Sequence, residues 1–195
     1  MKMKKQILLF GLPVLLFSYT SCNNVKDSKE SADSLNMAKD TTTMPMVTGG
    51  IAVNEDDAQF ATAAAVGGMA EVQFARLALS KTSNTAIKDF ANMMLTDHGK
   101  ANEELKAIAM DKNISLPGTI DKDHQQKLDQ LAKKNGTDFD KAYANAMIDG
   151  HQKMQDLLKK ESEKGEDTTL RAFASRTLPV VQMHLDRIQK INDSL

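Results

Sequence analysis

The sequence predicts an all-α domain: a bundle of four long helices, with a short extra helix between the second and third. Three observations carry that reading. Ala, Met, Leu, Lys and Glu dominate the chain from residue 54 onward, and all favour helix. Apolar residues recur there every three or four positions, and no useful run alternates with period two, so no strand is expected. Turn and capping signals divide the periodic segments into four long stretches and one short one.

The first long helix starts at the Asn54-Glu55-Asp56-Asp57 cluster, which supplies a cap and negative charge at the positive end of the helix dipole. It runs to about Lys81 on the stripe Phe60, Ala64, Gly67, Phe74, Ala78. Ser83 caps the second helix, which continues to about Asp111 on Ile87, Phe90, Met94, Ala101, Leu105 and Ile108, and stops before Leu116-Pro117-Gly118. A short amphipathic helix follows from about Asp121 to Lys134, ended by Asn135-Gly136. Thr137 opens the third long helix, with Asp140 at the reciprocal capping position and Gly165 at its end. Asp167 or Thr168 opens the fourth, which reaches nearly to Leu195 on Leu170, Phe173, Val180, Ile188 and Ile191. Pro179 inside it removes a backbone hydrogen bond and predicts a kink. Gly67-Gly68 inside the first helix predicts close packing against a neighbour.

The N-terminus points to the compartment. Lys2, Lys4 and Lys5 precede a short apolar run from Ile7 to Phe17, interrupted by Gly11 and Pro13. That run falls short of the ~20 apolar residues a membrane span needs, so residues 1–21 read as an export signal. Thr20-Ser21-Cys22 at its end resembles a bacterial lipoprotein processing site, which implies cleavage before Cys22 and lipidation of that residue. Cys22 is the chain's one cysteine, so an exported form would otherwise carry a reactive unpaired thiol. Residues 22–53 are rich in Ser, Thr, Asp, Lys, Asn and Gly without a sustained period, and read as a disordered tether. The charged cluster Lys26 to Glu30 is either the solvated start of that tether or, by resemblance, the export tag of surface lipoproteins. The expected location is the bacterial cell envelope: outer membrane, periplasmic or surface face, with the membrane as partner through the Cys22 anchor.

Composition narrows the function further. Net charge is −1 with both signs mixed along every helix, which argues against a nucleic-acid partner. Aromatic residues make up 5% and Trp is absent, leaving no stacking platform for sugars or bases. No catalytic constellation emerges. The remaining chemistry lies in polar residues that interrupt apolar stripes. His98 falls in step between Met94 and Ala101, and His184 between Val180 and Ile188. His151 continues Phe139, Tyr143 and Met147, and Glu71 interrupts the stripe of the first helix. At about 1.5 Å per residue the four reach similar heights, whichever end of the bundle the short helix returns the chain to. His124, among Asp121, Lys122, Asp123 and Gln125, reads as solvated.

Two readings of Glu71, His98, His151 and His184 stay open. They can form a buried hydrogen-bonded network inside a structural or protein-partner-binding module that is not an enzyme. Alternatively they ligate a transition metal, for which three imidazoles and a carboxylate suit Zn, Cu or Fe better than Ca or Mg. Met94, Met147 and Met183 near the histidines would extend that set toward copper(I), although Met at helical spacing is more often core filler.

Several motifs keep order and spacing: Phe60-Ala61 through Gly68-Met69-Ala70-Glu71-Val72, Phe90-Ala91-Asn92-Met93-Met94, Asp97-His98 with Ala101 to Leu105, Leu116-Pro117, Phe139 to Tyr143, His151, and Leu178-Pro179 with His184-Leu185. Together they resemble family 4142 of bacterial domains of unknown function, over about Asp56 to Ile191. The resemblance implies a ferritin-like four-helix bundle in an exported protein and supplies no reaction. Ferritin-like di-iron sites pair each of two histidines with a Glu three residues earlier. Here Leu95 precedes His98 and Val181 precedes His184, so di-iron oxidase chemistry is disfavoured.

Overall fold

The computed structural model describes residues 27–39 and 53–195. The export signal, Cys22 and most of the expected tether lie outside the described residues. Among the described residues six helices follow in order: α1 (Ser28–Lys39), α2 (Glu55–Lys81), α3 (Thr85–Asp111), α4 (Lys122–Ala132), α5 (Gly136–Lys164) and α6 (Thr168–Asn192). There is no strand among the described residues, and no described helix is long and apolar enough to cross a membrane.

The helix starts are fixed by side-chain caps. Asn54 accepts a hydrogen bond from the Asp57 amide, Asp121 from that of His124, and Asp167 from those of Thr169 and Leu170. Asn84, one residue later than the expected Ser83, caps α3 by accepting from the Ile87 amide. Two expectations at the start of α5 are corrected. α4 stops at Ala132, before the Asn-Gly pair, and Gly136 instead opens α5 with φ +55°, a left-handed conformation that favours glycine. Asp140 does not close a capping box. Its carboxylate accepts from Thr82 Oγ1 at 2.6 Å and ties the start of α5 to the α2–α3 turn.

These end contacts determine the topology. The Asp57 carboxylate, at the start of α2, accepts from the Glu166 and Asp167 amides in the α5–α6 turn at 3.1 and 2.6 Å. Lys112, just past α3, pairs with Asp167 at 2.6 Å. The Asp140–Thr82 bond marks the opposite end. Therefore α2 and α6 run one way and α3 and α5 the other, with the α2–α3 and α5–α6 turns at opposite ends. The segment containing α4 carries the chain back along the bundle, packing against α2 and α5. The fold is a ferritin-like four-helix bundle with a long crossover between its second and third helices.

The apolar core is divided. One half contains Phe74, Phe90, Phe139, Tyr143 and Ile188; the other contains Phe60, Leu105, Leu158, Leu170 and Phe173. Full burial of each such side chain stabilises by about 1.5–3 kcal/mol. Between the halves stand Glu71, His98, His151 and His184, all buried. Gly67-Gly68 marks a close approach, as expected: a Cβ on Gly67 would lie 2.6 Å from Met154 Cε of α5, and one on Gly68 would overlap the Asn102 amide of α3. α6 continues unbroken through Pro179, and beyond it Val181 rather than Val180 is buried.

The largest correction concerns residues 28–39, which form a docked helix within the expected tether. α1 packs on α2 and straps down the crossover. The Asn36 amide bonds Ser115 in both directions, donating to its carbonyl and accepting from its N–H. Ser28 Oγ donates to the carbonyls of Thr119 and Ile120, and Asp33 accepts from Thr62 Oγ1. The buried positions are Ala32 and Asn36, so α1 is held by polar contacts rather than by an apolar stripe.

Candidate metal centre

Each long helix contributes one polar side chain to the layer between the two core halves. Glu71 comes from α2, His98 from α3, His151 from α5 and His184 from α6. Their positions follow the helical repeat: Val181, His184, Leu185 and Ile188 are spaced 3, 4 and 7, so burying the apolar members buries the histidine with them. The expected clustering at mid-bundle is what the fold produces. His184 and His151 are fully enclosed, and His98 is 6% exposed.

The ring contacts sort the nitrogens into two sets. His98 Nδ1 lies 2.9 Å from Glu71 Oε2. His151 Nδ1 donates to the Met147 carbonyl at 2.8 Å and stands 3.3 Å from Glu71 Oε1. His184 Nε2 lies 3.0 Å from Asp97 Oδ2. Every imidazole therefore has one nitrogen turned to an acceptor on its outer side. The nitrogens left over are His98 Nε2, His184 Nδ1 and His151 Nε2. The first two face each other at 3.3 Å, and the third has no partner although it is completely buried. One nitrogen from each ring lies within 4.8 Å of the others.

The electrostatics follow from that arrangement. Burial would push the Glu71 carboxyl up, but His98 and His151 outweigh it and hold the pKa at about 2. Burial opposes charge on His98, yet the Glu71 carboxylate beside it raises its pKa above the usual imidazole value. Burial lowers His184 to about 4, with Asp97 opposing the shift and the neighbouring imidazoles adding to it. Burial also lowers His151, and the charge on His98 reinforces it. The Glu71 carboxylate thus favours a proton on His98, while burial disfavours one on His151 and His184. Tyr143 stands by with a buried hydroxyl that has no partner, its pKa pushed up by burial and by the Glu71 charge.

Two residues have places the sequence did not disclose. Glu71 sits behind His98 and His151, orienting both rings. Asp97, 29% exposed at its side chain, does the same for His184. Asp97 adjoins His98, and one residue along a helix turns the side chain by about 100°, which aims it at α6; that i, i+1 spacing was its only signal. Met94 and Met147 are fully buried in the same core half, whereas Met183 is 47% exposed and faces away. His124, expected to be solvated, is half-buried: its Nδ1 lies 2.6 Å from Asp121 Oδ1, and its ring lies over Phe74.

Comparison with known proteins places the fold and family. The crystal structure of a DUF305 fragment from Deinococcus radiodurans is similar, with TM-score 0.66 and 10% identity, covering 73% of this chain and 99% of that one. At that identity the likeness concerns the fold. No curated protein matches the chain. The family described as Domain of unknown function (DUF4142) matches residues 42–191, most of the sequence, and the chain belongs to that family.

Proposed function

We propose that this protein is a metal-binding bundle of the bacterial cell envelope, anchored by lipid on Cys22, that holds one transition ion on His98, His151 and His184. The observation that carries the reading is His151 Nε2, fully buried and unpartnered beside the His98 Nε2–His184 Nδ1 pair. A buried polar atom without a partner costs about 1–3 kcal/mol unless something fills its place. Two nitrogens bound at about 2.0–2.1 Å to a tetrahedral ion stand roughly 3.3–3.4 Å apart. His98 Nε2 and His184 Nδ1 already have that separation.

The outer partners support the same reading. A metal-bound imidazole usually donates its second N–H to a carboxylate or carbonyl, which fixes the tautomer. Asp97 and the Met147 carbonyl fill that role for His184 and His151, and Glu71 Oε2 stands 2.9 Å from His98 Nδ1. Three neutral nitrogens suit Zn, Cu or Fe. Glu71 then acts as an orienting group rather than as the fourth ligand.

A second reading has one observation of its own. The Glu71–His98 ion pair is self-neutralising, and a proton on His98 Nε2 satisfies His184 Nδ1 without any metal. In that case the layer is a structural network in a non-enzymatic module. Elemental analysis and titration with Zn²⁺ and Cu⁺ separate the two. The metal reading expects one ion per chain, lost in both His98→Ala and His151→Leu. A chain that binds neither ion stoichiometrically and unfolds identically in EDTA leaves the structural network standing.

A further inference from the structure

We propose that the cleft between α2, α4 and α5 is the route by which the cation reaches the histidines, with Glu71 the first member of the buried layer it meets. The inference rests on the metal reading above and adds a path to it. The cleft has a volume of about 410 Å³ and is floored by Gly67, Glu71, Met147, Gly150 and Met154. On the α3–α6 side, by contrast, the cavity touching His98 holds about 20 Å³, closed by Asn102 against Gly68 and by Val181. That space takes about one water, too little for a hydrated ion.

Two missing side chains open the large cleft. A Cβ on Gly150 would lie 3.5 Å from Glu71 Oε1, so any longer side chain would stand over the carboxylate. Gly67, one turn before Glu71 on α2, is overlain by the mobile end of a methionine, Met154, rather than by backbone. At the rim stand Asp121, Asp123 and Asp149 with Lys127, Lys153 and His124, whose Nδ1 lies 2.6 Å from Asp121 Oδ1; counting the imidazole as neutral leaves a surplus of one negative charge. An incoming cation reaches the Glu71 carboxyl group 3.3 Å or less from a ring nitrogen of His98 and of His151, the two rings that would next receive it.

The test is kinetic. Association of Zn²⁺ with the full chain, and its removal by EDTA, are followed by stopped flow using a zinc-sensitive dye. Gly150→Leu should slow association and release together by tenfold or more, with stoichiometry and Kd unchanged, because an obstructed path alters the barrier and neither end state. Thr177→Leu, which fills the small α3–α6 cavity, should leave both rates alone. Asp123→Lys with Asp149→Lys, surface changes that spare the core, should slow association severalfold, with the effect shrinking as salt is added. Unchanged rates in the Gly150 and Asp variants overturn the route and leave the metal site intact. Absence of stoichiometric Zn²⁺ binding in the native chain defeats the metal reading itself.

Discussion

Glu71 and Glu161 are buried glutamates on two helices that pack against each other, yet their surroundings drive them in opposite directions. Glu71 is 4% exposed and held at a pKa of about 2. Glu161 is 5% exposed and pushed up to about 7. Both are desolvated, which favours the neutral acid. At mid-bundle the neighbours are imidazoles, so positive charge and hydrogen bonds overcome burial. At the α5–α6 end the neighbours are Asp57 and Asp167, whose charges add to burial. Asp57 spends both oxygens on the amides of Glu166 and Asp167, and Asp167 pairs with Lys112, so neither offers Glu161 a donor. Glu161 Oε1 is left without a partner. Depth does not decide the charge state here; the sign of the neighbours does.

The largest effect should come from removing the mid-bundle charge. Glu71→Ala leaves His98 and His151 without their carboxylate, and breaking a buried pair by deleting one partner costs about 3–5 kcal/mol. Urea denaturation at pH 7 should show that loss, whereas Glu161→Gln, which removes a carboxyl group whose ionisation burial and like charges oppose, should be neutral or stabilising. Equal losses in the two variants would break the comparison.

The pH dependence has opposite signs at the two sites. The folded pKa of Glu161 is raised from 4.5 to about 7, so the native state keeps a proton that the unfolded chain releases. Its contribution is full below about pH 4.5 and fades as pH rises toward 7. The folded pKa of Glu71 is lowered from 4.5 to about 2, so its contribution is present above pH 4.5 and fades as pH falls toward 2. Denaturation midpoints across pH 4.5–7 should decline less steeply in Glu161→Gln than in the native chain. A parallel decline in both would show that Glu161 is ionised in the folded state.

Much of this was legible in the sequence, for reasons that also explain the rest. The four long helices and the mid-bundle level of Glu71, His98, His151 and His184 follow from the 3.6-residue repeat, which places a residue on a face and at a height. Glu161 lay hidden because nothing in spacing says that a glutamate near a helix end will be covered by the following turn. Asp97 lay hidden because its role depends on the seam between α3 and α6 rather than on its own stripe. α1 was missed because Asn36 earns its burial from Ser115, 79 residues away. Composition reports apolar surface, and α1 is docked by hydrogen bonds.

Asp97→Asn tests the mid-bundle site more gently. The amide can still sit beside His184 Nε2, but its neutral oxygen stabilises the ring less. Outer partners of metal-bound histidines typically change affinity by 10–100-fold. Zn²⁺ affinity should fall in that range while metal-free stability moves by less than about 1 kcal/mol, since Asp97 is partly solvated. A loss of stability without a loss of affinity would show that Asp97 does not act through the metal site.

The smallest effect belongs to the Arg176–Glu104 pair. Its atoms lie 2.5 Å apart, as close as any partners in the buried layer, but the side chains are 60% and 46% exposed. Distance alone would rank it beside Glu71–His98 at 2.9 Å. Solvent screening and the entropy of ordering two long side chains reduce such pairs to about 0–1 kcal/mol. Glu104→Ala should therefore change the urea midpoint by little, and less still in high salt. If it cost as much as Glu71→Ala, proximity rather than desolvation would govern these ion pairs, and the contrast between Glu71 and Glu161 would need a different cause.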